Sequence, residues 1–290
     1  MPEVGNSRGF FTLAQNSADV DYIRCAYGLA LSLKQSQTSF SKLSIGVTPG
    51  TKIDPKYAWA FDQIIEIPWG DQAEKSTWKL ENEWKVPYMT PYDETIKLDA
   101  DMLFFTDISD WWELLKNNNL NFFCANRVLN WRGEKITSDV CRKTFTANNL
   151  PNVYTGFTYF NKSPDVYEIY ELVKIITWNW EKFFEEFLEP NTRPQIFSTD
   201  VAVGLALKIL DFDKNTYTER LYPTFTHMKT ELQGIENEDI HDWRKVFNHF
   251  FSIDGGLKIG NYRQIYPLHY VVKDFLSDKI IDLYESETKP

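Results

Sequence analysis

The 290-residue chain reads as an α/β protein with a mostly parallel central sheet flanked by helices. Three observations predict this. Apolar runs and helical stretches alternate as β-α-β-α-β at short intervals over residues 9–70, the pattern of a doubly wound sheet. A further apolar run, "TIKL" (95–98), ends in two aspartates instead of a hairpin turn. A helical stretch and another strand pattern then follow it.

Element by element, "GFFTLAQN" (9–16) is a short apolar run closed by turn residues, the first strand. "DYIRCAYGLALSLKQS" (21–36) carries apolar residues at helical spacing, with Asp19 or Asp21 as its cap. "KLSIGVTPG" (42–50) is a second strand stopped by Pro-Gly, "PKYAWAF" (55–61) a short helix and "QIIEIPWG" (63–70) a third strand. Residues 76–85 predict a helix, 95–98 a buried strand, "DISDWWELLKNN" (107–118) a capped helix and "LNFFCANRV" (120–128) a strand. Residues 129–149 are polar and irregular. "VYTGFTYFNK" (153–162) alternates like a strand beside an edge or a second sheet. One long helix is expected over 164–189, and another over 198–210 capped by Ser198 or Thr199. The final segment, "SDKIIDLYESETKP", is amphipathic with a polar tail. With no repeat, low-complexity linker or break in composition, residues 1–290 are expected to form one domain.

Composition narrows the function classes. Lys and Arg number 31 against 41 Asp and Glu, so a chain of net charge −10 does not draw nucleic acid or anionic membrane through its overall field. Cys25, Cys124 and Cys141 are odd in number and lack CxxC spacing, which argues against a disulfide framework and a thiolate zinc site. The N-terminus "MPEVGNSRGFFTLAQNS" lacks a basic stretch followed by a long apolar one, and no run approaches the ~18 apolar residues of a transmembrane helix. A cytoplasmic protein without a transmembrane segment is expected. No GxGxxG or Walker-type loop supports a dinucleotide or P-loop site.

The chemistry concentrates at Asp99-Ala-Asp101. Strand interiors disfavour Asp, and a buried carboxylate without a partner costs several kcal/mol. Along an extended chain, residues two apart point to the same side, and ligands of open α/β sheets bind at the carboxyl ends of the strands. Two carboxylates there make a hard oxygen site for Mg²⁺ or Mn²⁺, completed by water and substrate phosphates. Turn formation at a strand end is the plainer reading of the same residues.

"IKLDADMLFFTDISDWWEL" resembles the metal-binding strand and following helix of GT-A-fold glycosyltransferases, in particular the family of glycogenin, galactinol synthase and bacterial lipopolysaccharide galactosyl- and glucosyltransferases. "FFTLAQNSADVDYIRCAYGLALSLKQS" is similar to that family's opening strand, Tyr-bearing loop and first helix. "VYTGFTYFNKSPDVYEIY", "STDVAVGLAL" and "YPLHYVVKDF" follow in the order of its later motifs, so the likeness runs over residues 9–275. Three departures stand out. Tyr154 replaces the Asn of Asn-x-Gly, leaving Gly156 as the match; Val201 replaces the Gln after Asp200; and His269 and Lys273 stand closer together than is usual.

The resemblance implies a single GT-A-type, Rossmann-like domain with a smaller antiparallel part, a nucleotide-binding half over about 1–128 and an acceptor-binding half over about 150–275. It implies a metal-dependent glycosyltransferase that moves a sugar, with retention, from a nucleotide-diphosphate sugar of the UDP type. Carried over residue by residue, Asp99, Asp101 and His269 would hold the dication. An imidazole beside carboxylates favours Mn²⁺ over Mg²⁺ or Ca²⁺. Asp99 and Lys273 would meet the diphosphate, Thr12, Ala14 and Tyr22 the nucleoside, and Lys79 a donor phosphate or ribose. As one helical turn, "HYVVKD" would set His269 and Lys273 on the same face. Asp200 would lie near the anomeric carbon, to stabilise charge, position the acceptor or attack; a helix cap is its alternative reading. Tyr154 and Gly156 belong to the acceptor region.

The stretch 127–143 carries Arg127, Arg132, Lys135, Arg142 and Lys143 around Trp131 against only Glu134 and Asp139. As a basic loop with an aromatic, it would suit an anionic acceptor, a phosphorylated glycan or nucleic acid, in place of a neutral hydroxyl-bearing glycan. His227, His241 and His249 have no motif around them and read as structural. Two other functions stand beside the transferase: a sugar-phosphate nucleotidyltransferase, whose Gly-rich N-terminal loop "FFTLAQNSADVD" does not supply, and a non-catalytic carbohydrate-binding protein of the same fold.

Overall fold

The computed structural model describes residues 7–289 except 77–78, 137–141, 213–222, 236–239 and 253. Its first half runs β1 (Arg8–Leu13), α1 (Tyr22–Ser36), β2 (Leu43–Val47), α2 (Pro55–Ala58), β3 (Ile64–Glu66), α3 (Val86–Met89), β4 (Glu94–Leu98), β5 (Met102–Leu103), α4 (Ser109–Asn117) and β6 (Phe122–Ala125). The second half runs α5 (Lys143–Ala147), β7 (Tyr154–Asn161), α6 (Pro164–Trp178), α7 (Trp180–Phe187), α8 (Thr199–Ile209), β8 (Thr226–His227), β9 (His249–Phe251), β10 (Leu257–Ile259), β11 (Tyr262–Arg263), β12 (Leu268–His269) and α9 (Asp278–Thr288).

Six strands form the central sheet in the order β3-β2-β1-β4-β7-β6. The first four pair in parallel, and β7 runs antiparallel to both β4 and β6. Strand alternation divides the core into two layers: Phe10 packs with α1, Trp112 and α9, and the next residue, Phe11, packs with α6 and α8 on the other face. Helices on both faces explain why β2 and β4 are buried along their whole length. Asp21 caps α1 by accepting from the Arg24 N–H at 3.0 Å.

Two small sheets complete the fold, β11-β10-β9 and β5-β12-β8. The second matters for the site, because it joins the chain just after Asp101 to two segments from the far end of the sequence. In it His269 pairs with Met102 on one side and with His227 on the other. Among the described residues no helix is long and apolar enough to cross a membrane. Cys25 and Cys124 are free and buried, and Cys141 lies outside the described residues.

The structure corrects two expected helices and keeps one strand where it was expected. The helix over 76–85 is not there in the described part: Lys79 sits at φ 58°, in the left-handed region, and only a 3₁₀ turn at Glu83–Lys85 leads into α3. Residues 153–162 lie in the central sheet beside its edge strand β6, in line with the expectation of a strand beside an edge, and most of β7 is buried there. The long helix over 164–189 breaks at Asn179. There Asn179 Nδ2 takes the carbonyl of Ile175 and its N–H that of Ile176, satisfying the end of α6 in place of another turn.

Candidate active site

A crevice opens at the carboxyl ends of β1 and β4, where the strand order reverses. Asp99 and Asp101 enter it from the end of β4 and meet different surroundings. The Asp101 side chain is 6% exposed, and its Oδ2 accepts from His269 Nε2 at 2.9 Å and from Lys273 Nζ at 2.5 Å. Burial pushes the Asp101 carboxyl up, but the charges of His269 and Lys273 outweigh it and hold the group well below the usual carboxylate range. Burial in turn pushes His269 and Lys273 down, and Asp101 more than offsets this, raising both.

The Asp99 side chain is 31% exposed, with Oδ1 on Lys97 Nζ at 2.9 Å and Oδ2 at 3.9 Å from His269 Nε2. Gly156 makes room for it: a Cβ there would stand 2.8 Å from Asp99 Oδ2. Facing ligand atoms of Asp99, Asp101 and His269 all lie within 4.8 Å of one another. Two carboxylates and an imidazole at that spacing fit a dication of Mn²⁺ type.

The triad separates two cavities. The larger, about 350 Å³, is lined by Thr12, Gln15, Tyr22, Lys79, Lys229 and Lys273 besides the triad itself. The smaller, about 200 Å³, is lined by Lys97, Tyr154, Thr155, Gly156, Ser198 and Asp200. Leu80, Glu83, Asp99, His227 and His269 belong to both.

Most residues singled out in the sequence converge here. Tyr22 opens α1 half-buried, with its ring 5.6 Å from Lys273 Nζ, so it packs on the core and faces the larger cavity at once. Ala14 is buried with its N–H on the Gly46 carbonyl and does not line the cavity. Lys79 lines the larger cavity, but its ammonium is held by the carbonyls of Ala73 and Glu74 at 2.7 and 2.8 Å. His269 and Lys273 do converge, though not as a helical turn: His269 is in β12, Lys273 opens a 3₁₀ turn, and Val271 between them adopts φ 60°.

Asp200 does not cap its helix. Ser198 does, and Asp200 turns its Oδ1 to the Thr155 N–H and hydroxyl at 2.9 and 2.7 Å and its Oδ2 to Arg142 Nη1 at 2.9 Å. Arg142 is clamped between the Phe145 and Tyr154 rings, 4.0 and 3.9 Å from their centroids. The basic stretch is therefore not one charged face among the described residues. Arg142 points inward, and Arg132 pairs with Glu134 at 2.9 Å on an exposed turn that also carries Lys135. Arg132 and Lys135 line neither cavity.

Three groups escaped the sequence reading. Lys97 and Glu83 form a buried ion pair at 2.9 Å beneath Asp99. Burial pushes Glu83 up, with Lys97 opposing; burial pushes Lys97 down, and Asp99 and Glu83 overcome it. A lysine two residues before Asp99 in an apolar strand was the available signal, since period two places both on one side. His227, read as structural, lies at the junction of the cavities, stacked on His269 at 4.6 Å. Burial and the neighbouring His269 hold its pKa well below the usual histidine value.

Comparison with solved structures decides the fold. The chain superposes on the galactosyltransferase LgtC in complex with donor and acceptor sugar analogs at TM-score 0.54 and 10% identity, covering 96% of this chain and 95% of that one. An active-site mutant of LgtC gives TM-score 0.54 at 12% identity over 96% and 95%. The fold is that of the GT-A glycosyltransferases. Mouse xyloside xylosyltransferase 1 matches at TM-score 0.48 and 10% identity, over 90% of this chain and 97% of that one. No family model matches the sequence, and no curated protein does. On this GT-A frame Asp99-Ala-Asp101 occurs as a DxD pair at the end of a central strand.

Proposed function

We propose that the chain is a metal-dependent glycosyltransferase that takes a UDP-sugar, transfers the sugar with retention, and uses a hydroxyl-bearing glycan as acceptor. One observation carries the reading: Asp101 and His269, 168 residues apart in sequence, are brought into contact beside Asp99, between two cavities of a GT-A fold. Asp99, Asp101 and His269 would hold the dication, which supplies electrostatic stabilisation of the departing diphosphate. In the larger cavity Tyr22 offers a ring to the base, and Thr12 lies beside it. Lys273, which lines this cavity beside Asp101, would meet the diphosphate.

The sugar belongs in the smaller cavity. Both oxygens of Asp200 are engaged by Thr155 and Arg142, which suits it to orienting the sugar and stabilising positive charge rather than to attack. Tyr154 and Gly156 form the wall beside it. Retention and the uridine base rest on the resemblance, and the glycan acceptor on the smaller cavity's polar wall and the chain's negative charge.

The test is thermal melting with MnCl₂ and UDP, followed by a panel of UDP-sugars. Together the two ligands raise the melting temperature by roughly 5 °C at saturating concentrations. Asp99→Asn combined with Asp101→Asn removes the shift. Release of UDP from the preferred donor over hours, dependent on Mn²⁺, separates an enzyme from a pure binder. No shift with any nucleotide sugar would defeat the proposal.

A further inference from the structure

Each aspartate of the pair carries its own ammonium group, and the two ammoniums differ in freedom. The Lys97 side chain is 3% exposed and fixed by Glu83 and Asp99 at 2.9 Å each and by the Thr155 carbonyl at 3.3 Å. The Lys273 side chain is 24% exposed, lines the larger cavity, and meets Asp101 Oδ2 at 2.5 Å, the carbonyl of Val271 at 2.8 Å and the Tyr22 ring at 5.6 Å from its centroid. That Oδ2 is also the oxygen that meets His269 Nε2 at 2.9 Å, so it is the atom through which Asp101 faces the triad. An ammonium and a dication repel one another strongly if they share one carboxylate oxygen in a partly buried site. The backbone leading to Lys273 is strained as well. Val271 sits at φ 60°, which β-branched residues avoid, and such strain persists where the surroundings enforce it.

We infer that Lys273 couples the metal to the nucleotide: it competes with a dication for Asp101 until a diphosphate in the larger cavity offers it another anionic partner. This rests on the reading of the site as one for a metal and a nucleotide diphosphate. It makes Lys273 a positioning residue with two stations, Asp101 and the diphosphate. By linkage, UDP must then raise the affinity for Mn²⁺ by the same factor as Mn²⁺ raises that for UDP. Lys97 has no such second station, because Glu83 and the Thr155 carbonyl retain it.

The experiment titrates the full chain with MnCl₂, alone and with saturating UDP, and counts free Mn²⁺ by its electron paramagnetic resonance signal. A protein-free titration measures the Mn²⁺–UDP complex. In the wild type, UDP tightens Mn²⁺ binding by about tenfold or more beyond that control. Lys273→Met binds Mn²⁺ alone about tenfold more tightly than the wild type and loses most of the UDP effect. Lys273→Arg, which keeps the charge, restores weak binding of Mn²⁺ alone. A lysine with only a structural role predicts the opposite sign, and a Met variant that binds Mn²⁺ no better than the wild type overturns the inference while the metal–nucleotide reading stands. Equal Mn²⁺ affinity of the wild type with and without UDP overturns it without recourse to any variant. A wild type that takes up Mn²⁺ in neither condition overturns the underlying reading, and this inference with it.

Discussion

The cavity at the end of β1 and its smaller neighbour beside Asp200 share Glu83, Asp99, His227 and His269, yet they are built by different means. The larger one has a ring from Tyr22, a lysine at Asp101 with room to leave, and a lysine at position 79 tied to backbone carbonyls. The smaller one is walled by charges already neutralised within the protein, Lys97 between Glu83 and Asp99, and Arg142 against Asp200. Buried charges are tolerated when their partners and hydrogen bonds are complete, and removing one partner is far more disruptive than removing both. The contrast teaches a division of labour. Ion pairs within the protein line the wall of the smaller cavity, and the larger cavity has in Lys273 a cation 24% exposed.

The sharpest way to break that contrast is to unbalance the smaller cavity. Lys97→Met leaves Glu83 without its cation and beside the like charge of Asp99, and is expected to cost about 3–5 kcal/mol in urea denaturation. The double variant with Glu83→Gln recovers most of this. A loss below about 1 kcal/mol for Lys97→Met alone would mean that the pair does not hold the wall.

A change at the border tests metal geometry instead of stability. Gly156→Ala places a methyl 2.8 Å from Asp99 Oδ2 and forces that carboxylate aside. Mn²⁺ affinity in the presence of UDP is expected to fall roughly 10- to 100-fold, with the urea midpoint nearly unchanged. Unchanged affinity would show that Asp99 holds no ion through that oxygen.

The smallest effect lies beneath the larger cavity, where Asp71 accepts from Gln15, Thr48, Asn82 and the Ala73 N–H. Burial pushes the Asp71 carboxyl up, and these hydrogen bonds outweigh it and lower it. A depressed carboxylate stabilises the fold above its unfolded value near 4 and loses that contribution as pH falls through the folded one. Asp71→Asn is therefore about 1 kcal/mol less stable at pH 7, and the two proteins converge as the pH falls through the folded value. Stability curves that stay parallel across that range would remove Asp71 from the support of this cavity.

Legibility in the sequence followed the distance over which each feature is specified. Asp99 and Asp101 were visible because a charged pair interrupts an apolar strand pattern, and Lys97 obeyed the same period-two rule without being read. The β-α-β-α-β order of the first half was legible because each element there has its own periodicity. β7 was legible only as a strand beside an edge or a second sheet, because alternation says that a strand has two faces and not which strands flank it. His227 and Arg142 carried no local signal. One reaches the site through a two-residue strand, and the other enters from a stretch whose composition suggested an exposed basic loop.

From the amino-acid order alone follow the layered α/β class, the strand that ends in two carboxylates, and a pair of candidate caps each for α1 and α8, of which Asp21 and Ser198 serve. These depend on neighbours within a few residues, where steric and hydrogen-bonding preferences act directly. Which cation answers which carboxylate was settled only by the folded chain. The pairing of β12 with β5 and β8 sets His227, His269 and Lys273 around Asp101, and the packing of α5 against α8 turns Arg142 onto Asp200. Electrostatic partnership acts through space over a few ångströms, and separation along the chain carries no information about it until the backbone has closed the gap.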